Sequence, residues 1–337
     1  MKYTTEKKQT VILYILEKIT EGAQNISKTV SETFNISPNT VHTYLNELIE
    51  SNIIKKEKRG KYKLISTIDE YNFNRGEGKL ASDTLPYDIC LEKKIKHLNE
   101  NIQRIWLYGL SEMVNNVIDH SNAENMKLIV IQSYLTTSVL LIDDGVGIFE
   151  KIKKHFNLSD LDEAICELFK GKLTTDAENH SGEGIFFTSK MMDSFLIFSD
   201  GKIFTSSKFE NDTILDTNKI IQGTCVYMSL SNFTHKTTKE IFDQYSDIDG
   251  GFNTTKIPLK NIFDGAPVSR SQAKRVCNRL EQFTEAILDF DGIEWMGQGF
   301  AHQIFIVFKN AHPDISIVPQ NMNDSVASMY NHVIKTN

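Results

Sequence analysis

Ser111-Glu112-Met113-Val114-Asn115-Asn116-Val117-Ile118-Asp119-His120-Ser121 is followed, after an apolar stretch, by Asp143-Asp144-Gly145-Val146-Gly147-Ile148. The first run places a carboxylate and a carboxamide one helical turn apart. Residues i and i+4 share a helix face, so Glu112, Asn116 and His120 align, with Asp119 adjacent. Met113, Val117 and Ile118 supply packing. The second run ends an apolar strand in an acid and two glycines, which let backbone come close to a flat ligand. Together they suit a nucleotide held with magnesium, with Glu112 set to activate a nucleophile.

Around these runs the pattern predicts a long helix over residues 91–120, then strands over 127–134 and 138–142. The second strand delivers Asp143 to the sheet edge. Gly171-Lys172-Leu173-Thr174-Thr175 opens a polar segment without apolar periodicity. It ends in Ser181-Gly182-Glu183-Gly184-Ile185, which begins an apolar helix. A glycine-rich loop feeding a helix N-terminus offers free N–H groups and a favourable dipole to phosphate. Gly223-Thr224 then precedes a strand over residues 225–230.

With these four boxes in order, the middle of the chain resembles the GHKL ATPase superfamily, which includes gyrase B, the ninety-kilodalton heat-shock chaperones, MutL, histidine kinases and anti-sigma-factor kinases. The resemblance implies a two-layer α/β sandwich over residues 67–250 and a lid at about 169–182. It implies ATP and Mg2+ as ligands. Asn116 would ligate magnesium, a hard ion that keeps waters and takes few protein oxygens. Asp119 belongs to the same nucleotide-binding box. Asp143 would accept the adenine amino group, with Gly147 and Thr224 supporting that pocket and Gly145 a further nucleotide-binding residue of the same box. Gly182 and Gly184 would present amides to the phosphates. Glu112 would be the general base, and phosphoryl transfer otherwise needs mainly positioning and charge neutralisation. Two departures stand out: Glu183, and the bulky Phe186-Phe187 where smaller residues are commoner.

Upstream, residues 11–19 are apolar at helical spacing, and Ile26, Val30 and Phe34 repeat every four residues, with Asn25 as a candidate N-cap. Ser37-Pro38 starts a third helix, with serine as cap and proline at the first helical position. Val41, Leu45 and Leu48 point inward from it, leaving Asn39, Thr40, His42, Thr43 and Asn46 outside. Two short strands around Arg59-Gly60 form a basic hairpin. Residues 1–66 thus resemble a bacterial winged helix-turn-helix, with the third helix in the major groove. Its outer polar residues would reach base edges, while Lys58, Arg59, Lys61 and Lys63 would neutralise phosphates. This segment holds 11 Lys/Arg against 7 Asp/Glu, net +4; the remaining 26 against 37 give −11. Double-stranded DNA is therefore an expected partner of the head alone.

Downstream, Asp247-Ile248-Asp249-Gly250-Gly251-Phe252-Asn253 reads as a turn-rich linker. Ala273, Val276, Leu280 and Phe283 mark an amphipathic helix. A buried strand over 286–290, a helix over 299–308, a strand over 315–318 and a last helix over 325–334 follow. The stretch from Leu288 to Gly299 resembles the strand-turn-helix of STAS domains, the anti-sigma-factor antagonist fold, so residues 255–337 are expected to be a small STAS-like α/β domain that takes a protein partner. Those domains carry a phosphorylatable serine at the start of that helix. Here Gly297-Gln298-Gly299 offers no hydroxyl, so no phospho-switch is expected there.

The length of 337 residues gives two or three domains. The apolar run at residues 11–16 is flanked by charge and too short to span a bilayer, and no signal-peptide cleavage pattern is present. No membrane role and a cytoplasmic location are expected. Cys90, Cys166, Cys225 and Cys277 are far apart and read as buried, reduced thiols. The fold class is a multidomain α+β chain: winged helix-turn-helix, GHKL sandwich, STAS-like domain. The expected activity is a DNA-binding regulatory ATPase, with an ATP-dependent homodimer implied by the GHKL resemblance. The alternatives are a serine/threonine kinase of the anti-sigma-factor type, using the same Glu112, and a nucleotide-sensing scaffold with little turnover. A histidine kinase needs an acceptor histidine in a helical hairpin, and residues 67–110 contain only His97, outside any acceptor motif.

Overall fold

A computed structural model describes residues 5–58, 60–173, 182–206, 222–246, 251–263 and 265–336. The protein is a mixed α/β, multidomain chain with open sheets. It divides into two compact units. The first comprises residues 1–70, 129–139 and 230–234; the second holds the remainder.

In the first unit, α1 (Thr5–Thr20), α2 (Ile26–Phe34) and α3 (Pro38–Glu50) are followed by the antiparallel hairpin β1 (Ile54–Lys58) and β2 (Lys61–Leu64). Ser37 caps α3 by accepting the Thr40 N–H, and Pro38 opens the helix. Asn25 occupies the N-cap position of α2 but makes no side-chain cap. Its backbone is left-handed (φ 59°), which asparagine tolerates, and that conformation rather than a hydrogen bond turns the chain into the helix. Leu16, Val30, Val41, Leu45 and Ile54 form the core, and Tyr134 and Leu135, distant in sequence, pack onto it. Gln9 donates to the Tyr134 hydroxyl at 3.1 Å.

A six-stranded sheet has the order β3-β4-β5-β8-β6-β7. Its strands are β3 (Ser66–Asn74), β4 (Asn125–Ser133), β5 (Thr136–Asp143), β6 (Ser194–Ser199), β7 (Lys202–Thr205) and β8 (Thr224–Ser231). The alternating burial of β8 is that of a strand with one covered face. Between β3 and β4 the predicted continuous helix is broken. Helix α4 (Leu85–Tyr87), a π-turn (Asp88–Glu92) and α5 (Lys93–Ile95) stop at residues 96–99, and α6 (Glu100–Asn116) starts anew from Asn99 in extended backbone. A second π-turn, Val117–Ser121, ends it. Helices α7 (Ile148–His155), α8 (Leu161–Lys170), α9 (Gly184–Met191) and α10 (Thr238–Tyr245) complete this part, with α9 packed on α6, α8 and β6.

The C-terminal part holds a parallel sheet of order β11-β10-β9: β9 (Thr254–Pro258), β10 (Glu285–Asp289) and β11 (Ser316–Gln320). Around it lie α11 (Leu259–Ile262), α12 (Arg270–Cys277), α13 (Gln298–His302), a π-turn (Gln303–Phe308), α14 (Lys309–Ala311) and α15 (Asp324–Thr336). The helix predicted through Phe283 ends at Cys277. Arg279 turns left-handed, and Leu280 and Phe283 reach the core from a short 3₁₀ turn and its flank. Strand β9 had no sequence signal, because its polar Thr254, Thr255 and Lys256 alternate poorly with apolar residues. Among the described residues no helix is long and apolar enough to cross a membrane.

Candidate functional site

The end of α6, the end of β5 and the start of α9 converge on a cavity of about 270 Å³. Glu112, Asn116, His120, Asp143, Gly182, Gly184 and Thr224 all line it, as do the apolar Leu141, Ile197 and Val226. That volume, and apolar walls holding a few polar groups, suit a small molecule.

Asp143 ends β5 and is 3% exposed. It accepts the Gly145 N–H at 2.9 Å and the Thr224 N–H. Burial pushes its carboxyl up to about 6; those two N–H groups pull the other way without winning. Gly223 (φ +85°) passes so close that a side chain there would collide with the Asp143 carbonyl. A carboxylate in this state has lone pairs to spare and gains from any donor placed in the cavity.

Glu112 lies against the first residue of α9. A methyl group on Gly184 would overlap its Oε2 atom, so glycine is what admits the carboxylate to this helix N-terminus, where negative charge is favoured. Asn116 lines the cavity and its carboxamide is uncommitted to any other described residue. The π-turn adds one residue to the turn after Asn116. His120 lines the cavity as its i, i+4 spacing implies, Ser121 joins it through the added residue, and Asp119 is exposed and outside the lining.

Gly145 and Gly147 do not line the cavity. Their missing side chains admit protein: Gly145 abuts the Ser121 carbonyl and Gly147 the Asp200 carboxylate. Asp200 in turn accepts the Glu150 N–H at 3.1 Å, and Ser199 the Ile148 N–H at 3.1 Å, which caps α7. The segment expected to form a lid is described only up to Leu173 and from Gly182, between which residues 174–181 lie outside the described residues. Leu173 N–H donates to the Gly182 carbonyl at 3.0 Å.

Sequence reasoning missed Lys151. It is the one Lys or Arg among the described lining residues, and its Nζ donates to the His120 carbonyl at 2.6 Å. Burial lowers its pKa, with the Asp119 charge partly offsetting this. In sequence it belongs to the run Lys151-Ile152-Lys153-Lys154, which reads as a solvated helix face. The Phe186-Phe187 departure also has an explanation: both rings pack with Tyr245 and Phe252 at centroid distances of 4.6–6.4 Å. The thiols of Cys90, Cys166 and Cys277 are buried and that of Cys225 half-buried. Burial raises all four, to about 12, 11, 12 and 11 respectively. They are poor nucleophiles.

In the first unit, Asn39, His42 and Thr43 are exposed on α3, and Lys58, Lys61 and Lys63 on the hairpin. Thr40 is half-buried and engaged with Ser37 at 2.9 Å, and Thr43 donates to Asn39 of its own helix. Arg59 lies outside the described residues.

Residues 272–327 match the family model of a STAS-like domain of unknown function (DUF4325), and this part of the chain is a STAS-like domain. No curated protein matches the chain. At the position where a hydroxyl was sought, the Gly297 N–H donates to the Pro267 carbonyl at 2.9 Å. A Cβ there would lie 2.6 Å from the Val268 carbonyl oxygen, so no serine fits without moving that loop.

Proposed function

We propose that the chain is a DNA-binding regulatory ATPase of the GHKL type. Its central cavity binds Mg-ATP, its N-terminal winged helix-turn-helix contacts double-stranded DNA, and its STAS-like domain takes a protein partner. The observation that carries this reading is the cavity itself: a buried acceptor, Asp143, and a helix N-terminus carrying Gly184 share one small-molecule site with Glu112, Asn116 and Lys151.

Asp143 suits an exocyclic amino group, because it is an ionisable acceptor already fixed by two backbone donors. The start of α9 suits phosphate. Asn116, an uncommitted carboxamide, is of the donor type that magnesium takes when phosphates and waters complete its shell. When bound, that ion neutralises phosphate charge. Lys151 adds a fixed cation on the same wall. Glu112, held beside Gly184, orients and deprotonates water, and a positioned base of this sort contributes about 10²–10⁴-fold.

The Asp143 carboxyl gives a pH signature. Its pKa is raised on folding, so it favours the folded state most at pH values below its ordinary 3.8, and this contribution is lost as pH rises through about 6. A ligand donating to the ionised form reverses that loss. Nucleotide affinity should therefore fall up to tenfold per pH unit below about 6. The Asp143→Asn protein should bind about tenfold more weakly at pH 7 and lose the step near pH 6. A fluorescent-nucleotide titration across pH 5–8 checks both. A pH-independent wild-type affinity would contradict the role given to Asp143.

For regulation, DNA affinity must differ between the apo and ATP-bound protein, since a ligand that does not discriminate between states shifts nothing. The experiment is a DNA-binding titration with and without ATP at several salt concentrations. Replacing Lys58 and Lys61 by alanine should lower the log–log salt slope by about 2, roughly one for each phosphate no longer neutralised. Identical DNA binding with and without ATP would remove the coupling.

A further inference from the structure

The wall of the cavity formed by Leu168, Gly171 and Leu173 is suspended from the STAS-like domain. Two successive residues here, Gly171 (φ +82°) and Lys172 (φ +52°), have positive φ, which is uncommon for lysine and favoured here by enforcement from its surroundings. The enforcement comes from the C-terminal part. Arg279 donates through an Nη2 N–H to the Lys172 carbonyl at 3.0 Å, and Lys172 Nζ donates to the Gln282 carbonyl at 2.8 Å while lying over the Phe283 ring.

Arg279 is itself left-handed (φ +58°), stacks on Phe156 at 4.4 Å and approaches Glu167 at 3.7 Å. Its Nη1 is buried without a hydrogen-bond partner. Just upstream, the Lys170 ammonium reaches the Arg275 and Asn278 carbonyls at 2.9 and 2.5 Å, and Thr255 donates to the Lys170 carbonyl at 2.7 Å. Phe169 in the last turn of α8 also packs on Phe204 of β7 at 4.5 Å, but the polar tethers of that turn and of the step after it come from residues 255 and 275–283.

We propose that the STAS-like domain sets the nucleotide affinity of the cavity through Arg279, a positioning residue that fixes the Gly171–Leu173 wall. This rests on the nucleotide reading of the cavity. Whatever binds the STAS-like domain and shifts Arg279 or Gln282 would change nucleotide binding, and nucleotide would change the partner's affinity by the same factor.

The test uses the full chain. Titration with a fluorescent ATP analogue should give about tenfold weaker binding for Arg279→Ala, with Arg279→Lys in between, because lysine keeps the charge but not the fork. Hydrogen exchange should show the Leu173 amide, bonded to the Gly182 carbonyl, released about tenfold in Arg279→Ala while amides of β10 stay protected. Saturating nucleotide should slow exchange over residues 279–283 in wild type. Should Arg279→Ala fail to fold, Lys172→Gly cuts the Gln282 tether while keeping the left-handed backbone comfortable, and the same two readouts apply. Unchanged affinity together with unchanged Leu173 exchange overturns the proposal. A wild-type protein that binds no adenine nucleotide would end the reading of the cavity instead, and the exchange comparison would still decide whether Arg279 holds its wall.

Discussion

The Glu112→Ala protein should bind ATP close to the wild-type affinity while its phosphate release falls by about 10²–10⁴-fold. The separation follows from geometry. Glu112, on α6, lies against the start of α9, whereas Asp143 ends a strand of the sheet. Gly184→Ala offers an independent route to the same defect. The added methyl would overlap the Glu112 carboxylate and displace it, and a misplacement of about 1 Å is enough to cost about 10²-fold. Steady-state phosphate release beside equilibrium binding measures both. Unchanged turnover in Glu112→Ala would remove it as the base. Incubation with labelled ATP would also record whether label ends on protein rather than in free phosphate.

Replacing Lys170 by alanine should destabilise the protein by about 3–5 kcal/mol. Its side chain is 1% exposed and that of its partner Glu167 3%, at 2.7 Å. Removing the ammonium leaves a buried carboxylate that faces, among the described residues, only Asn278 at 3.2 Å and Arg279 at a longer reach. It also strips the donor from two backbone carbonyls. The double change Glu167→Gln with Lys170→Met should recover much of the loss, because a neutral pair of similar shape carries no uncompensated charge. Denaturant unfolding of the three variants measures this, and a cost below about 1 kcal/mol for Lys170→Ala would place the pair in solvent-like surroundings.

These two residues also mark what a sequence can and cannot reveal. Glu167 and Lys170 sit three apart on a helix, a spacing that reads as a neighbouring pair on a helix surface. Their burial depends on Arg275 and Asn278, over a hundred positions downstream. Lys151 was hidden similarly, among neighbouring lysines. By contrast Ser37-Pro38 was legible because a cap and a first-turn proline act within four residues. The motif residues from Glu112 to Thr224 were legible as types of group. The i, i+4 spacing already aligned His120 with Glu112 and Asn116, whereas the π-turn that brings Ser121 to the cavity as well was not legible, since no side chain in Val117–Ser121 announces an extra residue per turn. The glycines of the second box were legible as places of close backbone approach, but not the protein groups that approach them, the Ser121 carbonyl and the Asp200 carboxylate.

The aromatic contact between Phe186, Phe187, Phe252 and Phe283 has a consequence for inheritance. Phe252 sits in the stretch that reads as a connector, yet its ring is sandwiched between α9 and the segment leading into β10. Genes that trade domains do so most easily where the join is indifferent to what lies on either side. Here the join is itself core. Exchanging the STAS-like domain for an unrelated one would leave an unfilled hydrophobic socket on α9.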